Sequence, residues 1–292
     1  MNWWQGLKGK VKRREPLKRH TSFKIGGPAE FFIEPRDVAD LKLLLVLAKR
    51  YKIPLSVIGS GSNILASDRG HKGIVLRLDS PVFKILDFKR NYCAVGAGVL
   101  LSRLLCACQG RGLSGLEFLA GIPGTVGGAL AMNAGVKGKN ISNALFYVKV
   151  MDKKGCIKIL SRKEAQFGYR SSGLARYIII SALLKLTRKQ KKNINKKIKQ
   201  YLAYRKLTQD YSYPSAGCVF KNPQGYAAGK LIDLCGLKGK RIGGARVSPK
   251  HANFILNTSR AKAAEVLRLM HSIRRKVKKE FAVSLKPEIR IW

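Results

Sequence analysis

Apolar and polar residues recur along this chain with two periods, and the changes between them predict its elements. Residues Ala29–Ile33, Gly73–Leu78, Val82–Asp87 and Tyr92–Val95 read as short strands, and the unbroken apolar run Leu55–Ile58 as a buried one. Val38, Leu41, Leu44, Leu45 and Ala48 share one face of a helix that Asp37 can cap and that ends near Tyr51, ahead of Pro54. A helix over Val99–Cys108 follows, then a hairpin of Leu145–Met151 and Cys156–Leu160 around Lys153-Lys154-Gly155. Ser161 with Glu164 makes a capping box for a short helix, and Tyr177–Leu186 is a strand.

The basic segment 188–206 is predicted mostly helical and connects to a last domain. That domain holds a helix Ala227–Cys235 ended by Gly236, a strand His251–Asn257, and a long helix capped by Thr258 or Ser259. Ala263, Val266, Leu267, Met270, Ile273 and Val277 form its apolar stripe, and residues 285–292 close the chain as a strand.

Two loops interrupt these rhythms. Gly115–Gly135 reads GLEFLAGIPGTVGGALAMNAG, with five glycines and no charge from Gly121 onward. Glycine admits positive φ and close backbone approach to a ligand. Pro123 suits the first turn of a helix, and Gly124-Thr125 would then leave amides free for an anion such as a diphosphate. A plain strand-to-helix turn packed through glycine explains the same residues. No Gly-Lys-Ser/Thr follows, and the spacing is not GxGxxG, so neither a Walker loop nor a Rossmann fingerprint is present. The second loop, GSGSN at 59–63, can form a nest for phosphate oxygens, with Ser60, Ser62 and Asn63 as further donors, or be an ordinary turn.

Composition narrows the classes. Hydrophobic residues are 46% of 292, enough for substantial cores, and the length suggests about two domains. Lys and Arg number 58 against 16 acids, a net charge of +42. That imbalance first suggests nucleic acid or an anionic surface, yet the basic residues are spread out, densest at 185–206 and 268–279, and no nucleic-acid-binding signature accompanies them. Six cysteines show neither CxxC nor metal-ligand spacing, so no metal is expected, and Cys93, Cys106, Cys108, Cys156 and Cys235 read as reduced core thiols. The start lacks the apolar segment of a signal peptide, and no apolar run approaches the length of a membrane span, so a cytoplasmic enzyme is expected.

The ordered set GSGSN, GIPGTVGGALAMNAG, YRSS, SAGCVFKNP, HANFILN and a terminal PEIR strand resembles the UDP-N-acetylenolpyruvoylglucosamine reductase family, from about Thr21 to the end. The resemblance implies an α+β protein with a p-cresol methylhydroxylase-type, two-subdomain FAD-binding fold plus a C-terminal α/β substrate-binding domain. Residues 1–20 would be a loose basic lead-in, 21–80 and 81–188 the two FAD-binding subdomains, 189–206 a connecting helix, and 207–292 the substrate-binding domain. The short stretch between Arg170 and Cys218 matches the family's shorter form. It implies NADPH-dependent reduction, through FAD, of the enolpyruvyl ether of UDP-N-acetylglucosamine in peptidoglycan precursor synthesis. Residues 59–63 contain no histidine or cysteine, so non-covalent FAD is expected, with His71 a surface loop residue.

The same resemblance implies roles. FAD would lie on Gly59, Ser60, Gly61, Ser62 and Asn63 and on Gly121, Ile122, Pro123, Gly124, Thr125, Gly127 and Gly128. Arg170, of the YR motif, would clamp the substrate carboxylate as charge develops, work suited to a planar bidentate cation. Cys218 stands where many members carry serine as proton donor. A thiol titrates near ~8.5, far closer to neutrality than an aliphatic hydroxyl, so the exchange is chemically tolerable. Glu288 would help hold the enolic carboxylate, although on the strand it could simply pair with Arg290. Lys221, Asn222, Tyr169 and Asn133 would meet the substrate, Asn133 as a donor. Arg205 would reach the UDP phosphates, but Asp210 follows Gln209 where the family has proline. NADPH and the UDP-sugar would use one cleft in turn. A flavin oxidase or dehydrogenase of the same fold, and a basic nucleic-acid-binding protein, are the alternatives.

Overall fold

The computed structural model describes residues 3–136 and 138–292. Met1 and Asn2, at the start of the lead-in, lie outside the described residues. The chain divides into two compact units: Met1–Arg13, Phe31–Ser60 and Gly73–Tyr204 in one, Arg14–Glu30, Gly61–Lys72 and Arg205–Trp292 in the other.

The first unit carries an antiparallel five-stranded sheet in the order Ile157–Ser161, Leu145–Met151, Ile178–Lys185, Tyr92–Gly96, Leu86–Lys89. Its register sets Lys185 opposite Tyr92 and Ser181 opposite Gly96. Residues 10–13, 31–34, 73–77 and 55–58 contribute to a second sheet, ordered Lys10–Pro16, Pro28–Glu34, His71–Arg77, Leu55–Ile58, whose last pair is parallel. Helix α1 (Val38–Arg50) begins where Asp37 accepts the Asp40 amide at 2.8 Å, as its sequence predicts, and buries Leu41, Leu44, Leu45 and Ala48. Each such leucine contributes roughly 1.5–3 kcal/mol by leaving water. Helices α2 (Leu101–Gly110) and α3 (Val126–Ala131) and most of α4 (Lys191–Thr208) complete the unit, α4 docking through Ile194 and Ile198.

The second unit has its own core of Phe23, Val219, Phe220, Val266, Ile273 and Val277. A three-stranded antiparallel sheet joins Arg241–Ile242, Ala245–Val247 and Ile255–Asn257, with helices α5 (Ala228–Leu234) and α6 (Ala263–Phe281). The final strand, Arg290–Ile291, pairs in parallel with Ile64–Leu65.

Several expectations give way to tertiary contacts. From Trp3 onward the lead-in is ordered: Lys10–Pro16 is a strand, the Lys8 amide donates to buried Asp40 at 2.8 Å, and Trp3 and Trp4 lie 5.1 and 5.0 Å from the Phe31 ring. Leu55–Ile58 is an edge strand with Val57 exposed, because its apolar run has a neighbour on one side only. Pro81–Lys84 is a 3-10 turn, so of the expected Val82–Asp87 strand only Leu86 and Asp87 pair, at the start of Leu86–Lys89. The Ser161–Glu164 capping bonds form, but around a turn with no helix behind it. Only Ile255–Asn257 of the expected 251–257 strand pairs. In α6, Leu269 is buried and Leu267 exposed, and Cys106 and Cys156 are also exposed. His71 opens the strand His71–Arg77 and stacks on Trp292 at 4.8 Å, instead of lying in a surface loop; burial lowers its pKa. Among the described residues, no helix is long and apolar enough to cross a membrane.

Candidate active site

In the first unit the glycine stretch is a knot of backbone bonds. Leu101 donates to the Gly124 carbonyl at 3.0 Å and Val126 to Val99 at 2.9 Å, a bridge pairing Leu100 with Thr125. Gly127 donates to Ala97 at 2.9 Å, and Gly128 to the Thr125 hydroxyl at 3.3 Å. Helix α3 therefore starts after Thr125, and Pro123 lies before it instead of in its first turn. The amides of Val126, Gly127 and Gly128 are engaged inside the protein. The Leu100–Thr125 bridge is made by neighbouring amides and does not use the Thr125 N–H. Gly121 and Gly124 have φ of 74° and 154°, which a side chain would oppose. A Cβ on Gly59 would stand 2.5 Å from the Thr125 hydroxyl, so the residue at 59 must be bare for the cap to form.

The loop is braced from below. Glu117, 5% exposed, accepts the Ser114 hydroxyl at 2.5 Å and the Gly115 amide at 2.9 Å. Burial pushes its pKa up, but these bonds and the charge of Lys197 outweigh that and leave it lowered. Its signal in the sequence is an acid set between Leu116 and Phe118 in so basic a chain.

Arg170 lies in a tight turn stapled to the same stretch. Gly168 and Ser171 exchange backbone bonds, Asn133 Nδ2 donates to the Gly168 carbonyl at 3.0 Å, and Ser172 donates to Ala131 at 2.9 Å. Arg170 has φ +52° and donates from Nη1 to the Gly135 carbonyl at 2.9 Å, with its guanidinium 5.6 Å from the Tyr169 ring centroid. Asn133 thus gives one of its two amide hydrogens to Gly168. The carbonyl it binds can only accept, which fixes the amide's orientation. Asn133 Oδ1 is buried and has no partner among the described residues.

The second unit holds Gly61, Ser62, Asn63, Arg205, Cys218, Lys221, Asn222 and Glu288. Gly61 has φ +66°, and a Cβ there would overlap the His20 carbonyl oxygen. Asn63 is tied at both ends to the last strand, its Nδ2 donating to the Glu288 carbonyl at 3.2 Å and its carbonyl accepting from Arg290 at 2.8 Å. The segment Cys218–Lys221 lies between two others. Cys218 bridges Phe254, Val219 donates to Asn253 at 2.9 Å, and Glu288 donates to Val219 at 2.8 Å. Lys221 donates to Lys286 at 2.9 Å and Phe220 bridges Pro287. The thiol-bearing and carboxyl-bearing residues are thereby set on neighbouring backbone segments.

Asn222 Oδ1 accepts the Ala228 amide at 3.0 Å, at the start of α5. Asn253, 2% exposed, grips Phe220 twice, accepting its N–H at 2.9 Å and donating to its carbonyl at 2.8 Å. The sequence signalled it only as a polar residue inside an apolar run.

In the first unit, positive-φ glycine backbone at 121 and 124 and an unmatched buried acceptor at Asn133 fit a ligand that packs against main chain and brings its own donors, as FAD does.

Two family models match the chain: an FAD binding domain over residues 29–161, and the C-terminal domain of UDP-N-acetylenolpyruvoylglucosamine reductase over 209–292. A UDP-N-acetylenolpyruvoylglucosamine reductase from Halalkalibacterium halodurans is 42% identical over 285 residues, covering 97% of this chain and 94% of that one. The crystal structure of the reductase from Thermus caldophilus superposes with a TM-score of 0.84 at 37% identity, covering 98% of this chain and 99% of the other. A solvent-stable cholesterol oxidase shares the fold alone, with TM-score 0.52 at 17% identity over 63% of this chain.

Proposed function

The chain belongs to the UDP-N-acetylenolpyruvoylglucosamine reductase family, and from that premise we propose that Arg170, Cys218 and Glu288 carry its chemistry. The reaction reduces the enolpyruvyl ether of UDP-N-acetylglucosamine to UDP-N-acetylmuramate with FAD and NADPH, in peptidoglycan precursor synthesis. FAD, when bound, supplies the two-electron reservoir that NADPH fills and the enolpyruvyl ether empties. The match of residues 209–292 to the reductase domain leaves the oxidase and nucleic-acid readings without support.

FAD would be held by Gly59, Ser60, Gly61, Ser62 and Asn63, and by Gly121, Ile122, Pro123, Gly124, Thr125, Gly127 and Gly128. The diphosphate would take the amides ahead of α3, since those within its first turn are engaged. Subdomains 21–80 and 81–188 would hold the cofactor, and 207–292 the substrate. Tyr169, Asn133, Lys221 and Asn222 would line the substrate, with Arg205 at its phosphates. Both phosphorylated substrates are cytoplasmic metabolites, so the enzyme works there.

When the terminal vinyl carbon gains its hydride equivalent, negative charge moves to the adjacent carbon and its carboxylate. Arg170, held from behind by Gly135, presents a fixed guanidinium to that charge. Glu288 in its acid form donates to the enolic oxygen. Cys218 Sγ gives its proton to the ether-bearing carbon, and the resulting thiolate is reprotonated from water. The observation that supports the reading is the 2.8 Å bond from Glu288 N to Val219 O, which joins the main chain of residue 288 to the segment that carries Cys218.

The two half-reactions separate the roles. Cys218→Ala should leave flavin reduction by NADPH intact and slow reoxidation by the enolpyruvyl sugar nucleotide by about 10²–10⁴-fold, the usual contribution of a positioned acid. Cys218→Ser should retain appreciable turnover. Equal losses in both half-reactions would remove Cys218 from the donor role.

A further inference from the structure

Asp210, one of few acids in the chain, is 7% exposed and bonded on both sides. Its Oδ1 accepts the Ser212 amide at 3.0 Å and hydroxyl at 2.5 Å, and its Oδ2 accepts the Ser248 hydroxyl at 2.6 Å. Ser248 is fully buried, and its Oγ already accepts the amides of Lys250 and His251, each at 3.0 Å. Both lone pairs of that oxygen are filled, so its hydroxyl can only donate, and residue 210 must present an acceptor.

What this carboxylate joins gives it a role. On one side, Gln209 donates to the Arg205 carbonyl at 2.8 Å, Tyr211 OH donates to Gln209 Oε1 at 2.6 Å, and Lys250 Nζ donates to the Lys206 carbonyl at 2.6 Å. Arg205 in turn bonds Tyr211, whose pKa burial raises against the pull of that guanidinium. On the other side, the Ser248 backbone N–H donates to the Phe254 carbonyl at 2.9 Å, and Phe254 bridges Cys218. We propose that Asp210 is a positioning residue for the sugar-nucleotide half-reaction, holding the Arg205 turn and the Cys218 segment in register through Ser248. The inference rests on reading Arg205 as a phosphate ligand and Cys218 as the proton donor.

The test uses the full FAD-loaded chain under anaerobic conditions, with each half-reaction followed separately in Asp210→Ala, Ser248→Ala, the double variant and Asp210→Asn. One lost charge-assisted hydrogen bond should lower kcat/KM for the enolpyruvyl sugar nucleotide about tenfold in each single variant, with flavin reduction by NADPH within about twofold of wild type. The double variant should lose less than the product of the single losses, because both changes break the Asp210–Ser248 link. Asp210→Asn should fail to rescue, since its NH2 meets either the Ser248 oxygen with no lone pair left or, turned over, the Ser212 amide, itself a donor. Ser248→Ala also takes the acceptor from the Lys250 and His251 amides, and a melt of each variant identifies the temperature at which all remain folded. A sugar-nucleotide arm changed by less than about twofold, equal loss in both arms, or multiplied losses in the double variant would overturn the proposal. Wild-type protein that the sugar nucleotide cannot reoxidise would instead overturn the function on which it rests.

Discussion

Asn253→Leu is the sharpest available test of how the Cys218 segment is held. The buried side chain closes two bonds on Phe220, one in each direction, and Phe220 is itself fully buried. Leucine fills a similar volume but offers neither a donor nor an acceptor. It would leave the Phe220 N–H and C=O unpaired away from water, at about 1–3 kcal/mol each, or about 4 kcal/mol in the middle of the range. At about 3 °C per kcal/mol for a protein of this size, Tm should fall by roughly 12 °C. The main-chain bond from Val219 to Asn253 survives the change, so the segment is loosened, not detached. Thermal melts and urea midpoints at neutral pH measure the effect, and the sugar-nucleotide half-reaction should suffer more than NADPH reduction. Asn253→Asp is the control. As a carboxylate it keeps the acceptor, loses the donor and faces the Phe220 carbonyl, so its pKa is raised and its stability recovers as acid protonates it. A loss below about 1 kcal/mol in Asn253→Leu would refute the claim that this amide holds the segment.

Other expectations follow from single contacts. Asp68 accepts the first two amides of α6, from Ala263 at 2.7 Å and Ala264 at 3.0 Å, so Asp68→Ala should cost about 1–2 kcal/mol, read as a drop of several degrees in Tm. Because the Glu117 pKa is lowered in the fold, its contribution is complete above the ordinary glutamate value near ~4.3 and is lost as pH falls through the folded value. Urea midpoints of wild type and Glu117→Gln should therefore differ at neutral pH and converge in acid; a gap that is constant with pH would contradict this. Gly59→Ala drives a methyl group onto the Thr125 hydroxyl that caps α3, an overpacking of about 1–3 kcal/mol that should weaken FAD retention by roughly five- to 150-fold, measured by quenching of flavin fluorescence.

What the sequence settled alone is what short-range rules govern. Helix α1 and its Asp37 cap, the stripe that buries Val266, Met270, Ile273 and Val277, and the hairpin around Gly155 all depend on neighbours within a few positions. The order of the glycine and polar motifs likewise identified the family and nominated the site residues. What the tertiary structure decided is which polar groups meet across long separations. The cap of α6 is Asp68, 195 positions before Ala263, where Thr258 or Ser259 was expected. Asn63 is fastened to Glu288, 225 positions away, and Asn133 gives its donor to Gly168. Hydrophobic periodicity reports which face of an element turns inward. A buried donor or acceptor is satisfied by whatever folding brings within about 3 Å, and no local pattern encodes that partner.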